Sequence, residues 1–160
     1  MNKLIATDSN NWPALISRLA LGFTIFPHGA QKLLGIFGGY GFNGTMGFLT
    51  GTMHLPYVIG LLVILIEFFG SLFLIFGFLT RIAAIGFTGL YAGVVITVHA
   101  ANGFFMNWGM QPNKGEGWEF FILLFGLAII SLILGGGKAS IDAAIQKKIK
   151  NNYAVKTQSK

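Results

Sequence analysis

Seven side chains in this sequence have both the chemistry and the placement to do more than fold it: Arg18, His28, Gln31, Lys32, Glu67, His99 and Glu119. Each lies in, or at the edge of, a long apolar stretch, and an uncompensated charge at mid-bilayer costs about 3 kcal/mol. A group in such a place must pair, neutralise or face a polar interior. A carboxylate or imidazole that does so can move protons or hold a polar ligand. Glu67 is the only charge between Val58 and Phe78. It either locks its helix to Arg18, stays protonated against a backbone group, or serves a ligand as proton or hydrogen-bond partner. His28 follows Pro27, whose missing N–H leaves the carbonyl of Phe23 without its helical partner and kinks the chain. Beyond the kink, His28, Gln31 and Lys32 stand at i, i+3 and i+4, on one helix face. That face either walls a pocket or bridges helices through hydrogen bonds. At 1.5 Å per residue from the end that carries the termini, Arg18 lies about 8 Å deep, Glu67 about 18 Å, His28 about 22 Å, and Lys32 and His99 about 27 Å. The expectation is a central Glu67 with His28 above it and Arg18 below, and an outer polar rim of Lys32, His99 and Glu119.

The elements that must position these groups are four apolar stretches, at about residues 13–34, 56–79, 81–101 and 118–135, each near the ~20 residues a helix needs to cross a hydrocarbon core. Of the 160 residues, 54% are hydrophobic and 10% charged, against about 25% charge in a soluble domain, and mean hydropathy is +0.69. The 23 Gly and 16 Phe suit close helix packing in lipid. Runs of this length cannot be strands with alternating faces. The expected fold is an all-α integral membrane protein, a four-transmembrane-helix bundle over residues 1–145 followed by a short basic cytoplasmic tail, 146–160. The first stretch reads as a retained helix rather than a cleaved signal, because Arg18, Pro27, His28 and Lys32 interrupt it and no Ala-x-Ala follows.

Lysine and arginine in the flanks set the orientation. Lys138, Lys147, Lys148, Lys150, Lys156 and Lys160 follow the fourth stretch, and Arg81 sits in the short link between the second and third. The loop 35–55 has neither residue type and the loop 102–117 has only Lys114. Both termini are therefore expected in the cytoplasm, with the two longer loops outside. Trp12 falls at the inner interface, and Trp108 and Trp118 at the outer one. The net charge of +6 is read as this topology signal, not as a nucleic-acid site. Residues 141–149 are expected to form a short surface helix that frays after Asn151.

With no cysteine the chain has no disulfide, thiolate zinc site, Cys-ligated iron–sulfur cluster or CxxC redox motif. His28 and His99 could supply axial imidazoles to a haem, but their expected levels differ by about one helical turn, which argues against it. No metal site is expected. The glycines of residues 35–51 lack the GxxxxGK[ST] pattern of a phosphate loop, and this segment could instead lie over an outer pocket as a re-entrant lid. Gly89 and Gly93 form a GxxxG, read as close helix packing. Glu116 and Glu119 suit the positive end of a helix dipole, and Arg81 reads as snorkelling to the interface.

Taken in order, these residues resemble the DoxX family. The run Arg18…Gly22…His28-Gly29-Ala30-Gln31-Lys32-Leu33…Gly35 is similar to its first-helix signature. Glu67-Phe68-Phe69-Gly70…Leu74…Gly77…Thr80-Arg81 is similar to its second. Asn102-Gly103-Phe104-Phe105, Gly117-Trp118-Glu119 and Gly135-Gly136-Gly137…Ser140-Ile141-Asp142 resemble later landmarks, so the likeness covers about residues 14–145. Ser71 departs from it, standing where the family often has a glycine after the acidic helix site, which bears on how closely the helices approach there. The resemblance implies a four-helix protein of the bacterial or archaeal inner membrane. It associates the chain with respiratory oxidases, thiosulfate:quinone oxidoreductase and responses to oxidative or quinone stress. By motif it carries over Arg18, His28, Gln31, Lys32, Glu67, Arg81 and Glu119.

Three functions are compatible with these residues. The leading one is a membrane redox subunit that binds a quinone-like headgroup between its helices, with His28 and Lys32 donating to a quinone oxygen and Glu67 supplying or taking the proton. Without cysteine or a cofactor motif, such a chain needs a partner subunit or a bound cofactor to carry electrons. The second is a non-catalytic membrane scaffold, in which Glu67 pairs with Arg18. The third is a proton-coupled small-molecule transporter, for which four helices suffice only in a homo-oligomer.

Overall fold

A computed structural model describes residues 3–158, with side chains through Asn152; the side chains of Lys156 and Lys160 in the basic tail lie outside the described residues. The first long helix, α1 (Trp12–Leu34), starts where the Asn11 side chain accepts from the N–H of Ala14 at 2.9 Å, with Pro13 in the first turn, where its missing donor is not needed. It runs through Pro27 and stops where Gly35 turns left-handed, φ +74°. The glycine-rich segment that follows folds as α2 (Gly41–Gly47), continued by a π-helical turn, Phe48–Thr52. Met46 and Leu49 bury this element, and an added Cβ on Gly60 would meet Met46 Sδ at 3.2 Å.

Three apolar helices follow: α3 (Tyr57–Phe76), α4 (Thr80–Asn102) and α5 (Glu119–Leu134). A π-helical turn, Ile66–Gly70, interrupts α3, and another, Val95–His99, lies near the end of α4. Such turns break the regular ladder of i to i+4 bonds and recur at functional sites. A last helix, α6 (Ile141–Gln158), continues past Asn151, where fraying was expected. There is no strand among the described residues. Among the described residues, two helices, α3 and α4, are long and apolar enough to cross a membrane, with mean hydropathies of 2.7 and 1.7. The 16 residues of α5 are fewer, and α1 is interrupted by Arg18 and Lys32.

Helix α1 packs against α3 and α5, while α4 packs against α5 and the π turn of α3. Two glycines of α1 set the first contact. A Cβ on Gly22 would lie 2.8 Å from Ile75 and 3.1 Å from the Ser71 carbonyl, and one on Gly29 would lie 2.5 Å from the Phe68 amide nitrogen. That order of contacts makes α1 and α3 antiparallel. It also answers the departure at Ser71: the close approach is made by glycines on α1. Leu21, Ile25, Leu74, Phe87, Tyr91 and Leu124 form the apolar core between the helices.

The outer faces are apolar too. Ile16 and Phe23, Leu62 and Phe69, Ile85 and Ile96, and Leu123 and Ile133 are exposed on the four helices in turn, whereas Arg18, Glu67, Ser71, Thr80, Ser131 and Asp142 are buried. Polar groups inside and large apolar groups outside suit lipid rather than water. Gly89 and Gly93 depart from the expectation of close packing: both are exposed, and an added Cβ at either would meet nothing within 4 Å. The buried residues of α4, among them Ala84, Phe87 and Tyr91, occupy the opposite face.

Candidate functional site

Glu67 lies within the π turn of α3 and is buried, 4% exposed. In an α-helix side chains lean toward the N-terminus. Because α1 and α3 are antiparallel, Lys32 leans back from the loop end of α1 while Glu67 leans forward to meet it. The Lys32 ammonium donates to Glu67 Oε2 at 2.5 Å, and the Tyr91 hydroxyl of α4 donates to Oε1 at a long 3.4 Å. Three helices thus contribute one side chain each. The backbone around the carboxylate is held from both sides: Gly29 lets α1 approach the Glu67–Phe68 peptide, and the Ser71 hydroxyl donates to the Phe68 carbonyl at 2.7 Å. The Lys32 side chain keeps 29% of its surface exposed, against 5% for Glu67, so the pair is sealed on the carboxylate side and open on the ammonium side. Tyr91 stacks on Phe87, ring centroids 6.0 Å apart, and meets Phe121 of α5 at 5.8 Å.

The same leaning rule explains why Arg18 is elsewhere. It points toward the end of α1 that carries the termini, away from Glu67, and is 1% exposed. Its guanidinium donates to five backbone carbonyls: Gly136, Leu74, Ile75, Lys138 and Ala139. These are the terminal carbonyls of α3 and the glycine turn after α5. Asp142 completes this knot by accepting from the N–H groups of Leu79 and Thr80, at 2.9 and 3.0 Å, and from the Thr80 hydroxyl at 2.9 Å, which caps α4. In place of a pairing of Arg18 with Glu67, one of the alternatives the sequence left open, there is an Arg18–carbonyl knot at one end and a Lys32–Glu67 pair nearer the other.

The remaining candidates separate as well. His28 is exposed on the outer face of α1, four residues after the exposed Thr24, and is turned from Glu67. Gln31 donates to the Phe37 carbonyl at 2.9 Å and so fastens the turn after α1. The three residues expected at an outer rim do not meet: Lys32 pairs with Glu67, and His99 and Glu119 contact separate parts of the loop before α5. His99 Nδ1 lies 2.8 Å from the Glu116 carbonyl oxygen, while Glu119 Oε1 accepts from the Met106 N–H at 3.0 Å and the Trp108 indole at 2.6 Å. His99 and Glu119 thereby shape the loop before α5. Arg81 does not simply snorkel: it donates to the carbonyls of Ala6 and Ile133.

Sequence reasoning missed Tyr91 and Asp142 as polar partners. Depth held the signal for Tyr91, since 1.5 Å per residue from Thr80 puts it about 16 Å along α4, at the level of Glu67.

Among proteins of known description, the chain is 28% identical over 137 residues to "Putative oxidoreductase CatD" of Bacillus subtilis (strain 168), covering 86% of this chain and 90% of that one. No solved structure matches it. The DoxX family model matches residues 14–100, more than half of the sequence and the whole of the Arg18, Lys32, Glu67 and Tyr91 framework, and this protein belongs to the DoxX family of membrane-associated proteins.

Proposed function

We propose that this protein is a four-span inner-membrane redox subunit whose Lys32–Glu67–Tyr91 cluster binds a quinone-like headgroup and exchanges protons with it. The observation that carries the reading is the ion pair itself: a carboxylate sealed among three helices, joined to an ammonium that is partly open. Lys32 is suited to donate to a quinone carbonyl oxygen, and Glu67 to hold or pass the proton, with Tyr91 as its second donor. A quinone supplies the electron-carrying chemistry, and a partner redox subunit delivers or removes the electrons. Access for a lipophilic ligand is supported by an apolar hollow of about 370 Å³ between α4 and α5, lined by Val95, Trp118, Phe121 and Phe125, whose Phe121 ring touches Tyr91. His28, exposed on the outer face of α1, has no part in this version of the site. Four spans with both termini cytoplasmic agree with the lysines of α6 and with the apolar outer faces of α1, α3, α4 and α5. The oxidoreductase name of the Bacillus subtilis relative, itself a matter of that protein, agrees with the class.

Mass spectrometry of the gently solubilised native complex tests this directly. A stoichiometric isoprenoid quinone together with a redox subunit is expected. Glu67→Gln should leave the complex intact and lower quinone-linked turnover at least ~100-fold, the range for loss of a proton-transfer group. A lone oligomer with neither ligand nor partner would overturn the proposal. Uptake driven by a pH gradient in liposomes would then mark a transporter, and its absence a scaffold. A double swap, Lys32→Glu with Glu67→Lys, that restored full turnover would also overturn it, because only a structural pair is indifferent to which helix carries the acid.

A further inference from the structure

We propose that the cleft between residues 7–9 and α6 binds the phosphodiester of an anionic lipid. The cleft is open, about 660 Å³, with Asp8 and Ser9 on one wall and Ala143, Lys147, Lys150 and Asn151 on the other. Lys147 and Lys150 stand at i and i+3, so both ammonium groups reach the same face of α6, and both residues are exposed. Among the described residues, Asp8 is the one acidic residue lining it, with Oδ1 accepting from the Asn10 N–H at 2.9 Å. Two cations and one anion leave a single positive charge. That matches the one negative charge of a phosphodiester better than the near-double charge of a phosphate monoester or free phosphate. The Asp8 carboxylate and the Ser9 and Asn151 side chains suit headgroup hydroxyls, and Ala143 offers an apolar wall to the glycerol.

Position supports a lipid as the source of that phosphate. Thr7, which also lines the cleft, donates to the carbonyl of Leu134 at 3.1 Å and accepts from the Gly137 N–H at 2.7 Å. Leu134 is the last residue of α5, so the cleft opens level with the end of an apolar helix, where headgroups lie. At the same end Lys138 stands 4.0 Å over the exposed ring of Trp12, a cation–aromatic pair of the kind that anchors at an interface. The cleft lies at the opposite end of α1 from Lys32, and this proposal stands whether or not a quinone binds there.

Native mass spectrometry of the full-length protein in detergent is the test, with short-chain phosphatidylglycerol, phosphatidylcholine and inorganic phosphate as separate probes. One phosphatidylglycerol should be retained, about tenfold tighter than phosphatidylcholine. Lys147→Gln with Lys150→Gln should weaken it about fivefold per lysine, the usual effect of one basic residue near anionic lipid. Lys148→Gln with Lys114→Gln removes the same charge outside the cleft and should change binding less than twofold. Asp8→Asn should tighten phosphatidylglycerol. Equal losses from the two double variants would reduce the effect to net charge and overturn the site. Displacement by an equal concentration of inorganic phosphate would assign it to a soluble phosphate, and equal retention of phosphatidylcholine would remove its selectivity for anionic lipid; either overturns the proposal.

Discussion

Two buried polar clusters among the described residues are built on opposite plans. At the end that carries the termini, Arg18 is surrounded by backbone carbonyls and Asp142 by backbone N–H groups, so that helix ends and a glycine turn are tied into one knot. Nearer the other end, Glu67 meets only side chains, Lys32 and Tyr91, one of them at a long 3.4 Å. Backbone carbonyls do not titrate or rotate away, whereas an ammonium, a phenol and a carboxylate can exchange protons and re-form around a ligand. Under the proposed function, the contrast separates burial that serves the fold from burial that serves chemistry, and it does so by the kind of partner each group meets.

The largest way to break this contrast is Arg18→Ala. It removes five hydrogen bonds to a charged group and leaves carbonyls of α3 and of the glycine turn unpaired in an apolar setting. Such bonds contribute about 1.5–3 kcal/mol each and are not additive, so a loss of more than about 4 kcal/mol is expected, a large share of an ordinary 5–15 kcal/mol stability. Thermal unfolding in detergent and the yield of monodisperse protein report it. Arg18→Lys should fail nearly as badly, because one ammonium cannot reach carbonyls on two sides of a planar fork. A well-folded Arg18→Ala protein lacking only turnover would reverse the assignment of the two clusters.

Much of the fold was legible because lipid imposes a simple rule: apolar runs long enough to span had to be helices, and charges within them such as Arg18 and Glu67 had to be buried and partnered. Glu67 was found that way. Its partner was not, because depth was counted at Cα positions, and a lysine side chain moves its charge several ångströms back along the helix. Lys32, assigned to the outer rim, reaches Glu67 for that reason, and Arg18 is carried away from it for the same reason. His28 was placed on the pocket face by its spacing to Lys32, but spacing fixes only which residues share a face. Here Gly29, close against Phe68, decides the rotation of α1 and turns His28 outward. The π turns left no signature in periodicity over so few residues. Asp142 was legible only as a landmark of the resemblance, because it lies beyond the last apolar stretch and its partners appear only when the chain folds back on Thr80.

The next test sharpens the contrast by moving backbone rather than charge. An added Cβ at Gly29 would lie 2.5 Å from the Phe68 nitrogen and 2.6 Å from the Glu67 carbonyl carbon, contacts that no side-chain rotation can relieve. Gly29→Ala should therefore push α1 off the π turn, at a cost of about 1–3 kcal/mol, and pull Lys32 from Glu67. Gly22→Ala, lower on the same helix, first meets the Cγ1 atom of Ile75 at 2.8 Å, an atom that can partly give way. It should cost less in thermal stability and leave the Lys32–Glu67 pair in place. If the two variants lowered quinone-linked turnover equally, the π turn would have no special part in the site.

The smallest effect on stability is expected from Tyr91→Phe, and this makes it the most selective probe. The ring that stacks on Phe87 at 6.0 Å and meets Phe121 at 5.8 Å is retained, so the packing of α4 against α5 is unchanged. What is lost is one hydroxyl and a hydrogen bond stretched to 3.4 Å, worth about 0.5 kcal/mol or less. Thermal unfolding should move by no more than about 2 °C. If Glu67 serves only to hold α3 to α1, turnover should be equally indifferent, because Lys32 still pairs with the carboxylate. If Glu67 passes protons, the phenol is the donor that keeps one carboxylate oxygen oriented while the other faces Lys32, and turnover should fall about tenfold at unchanged stability. A fall in both together would place Tyr91 with the apolar core and leave the Lys32–Glu67 pair to act alone.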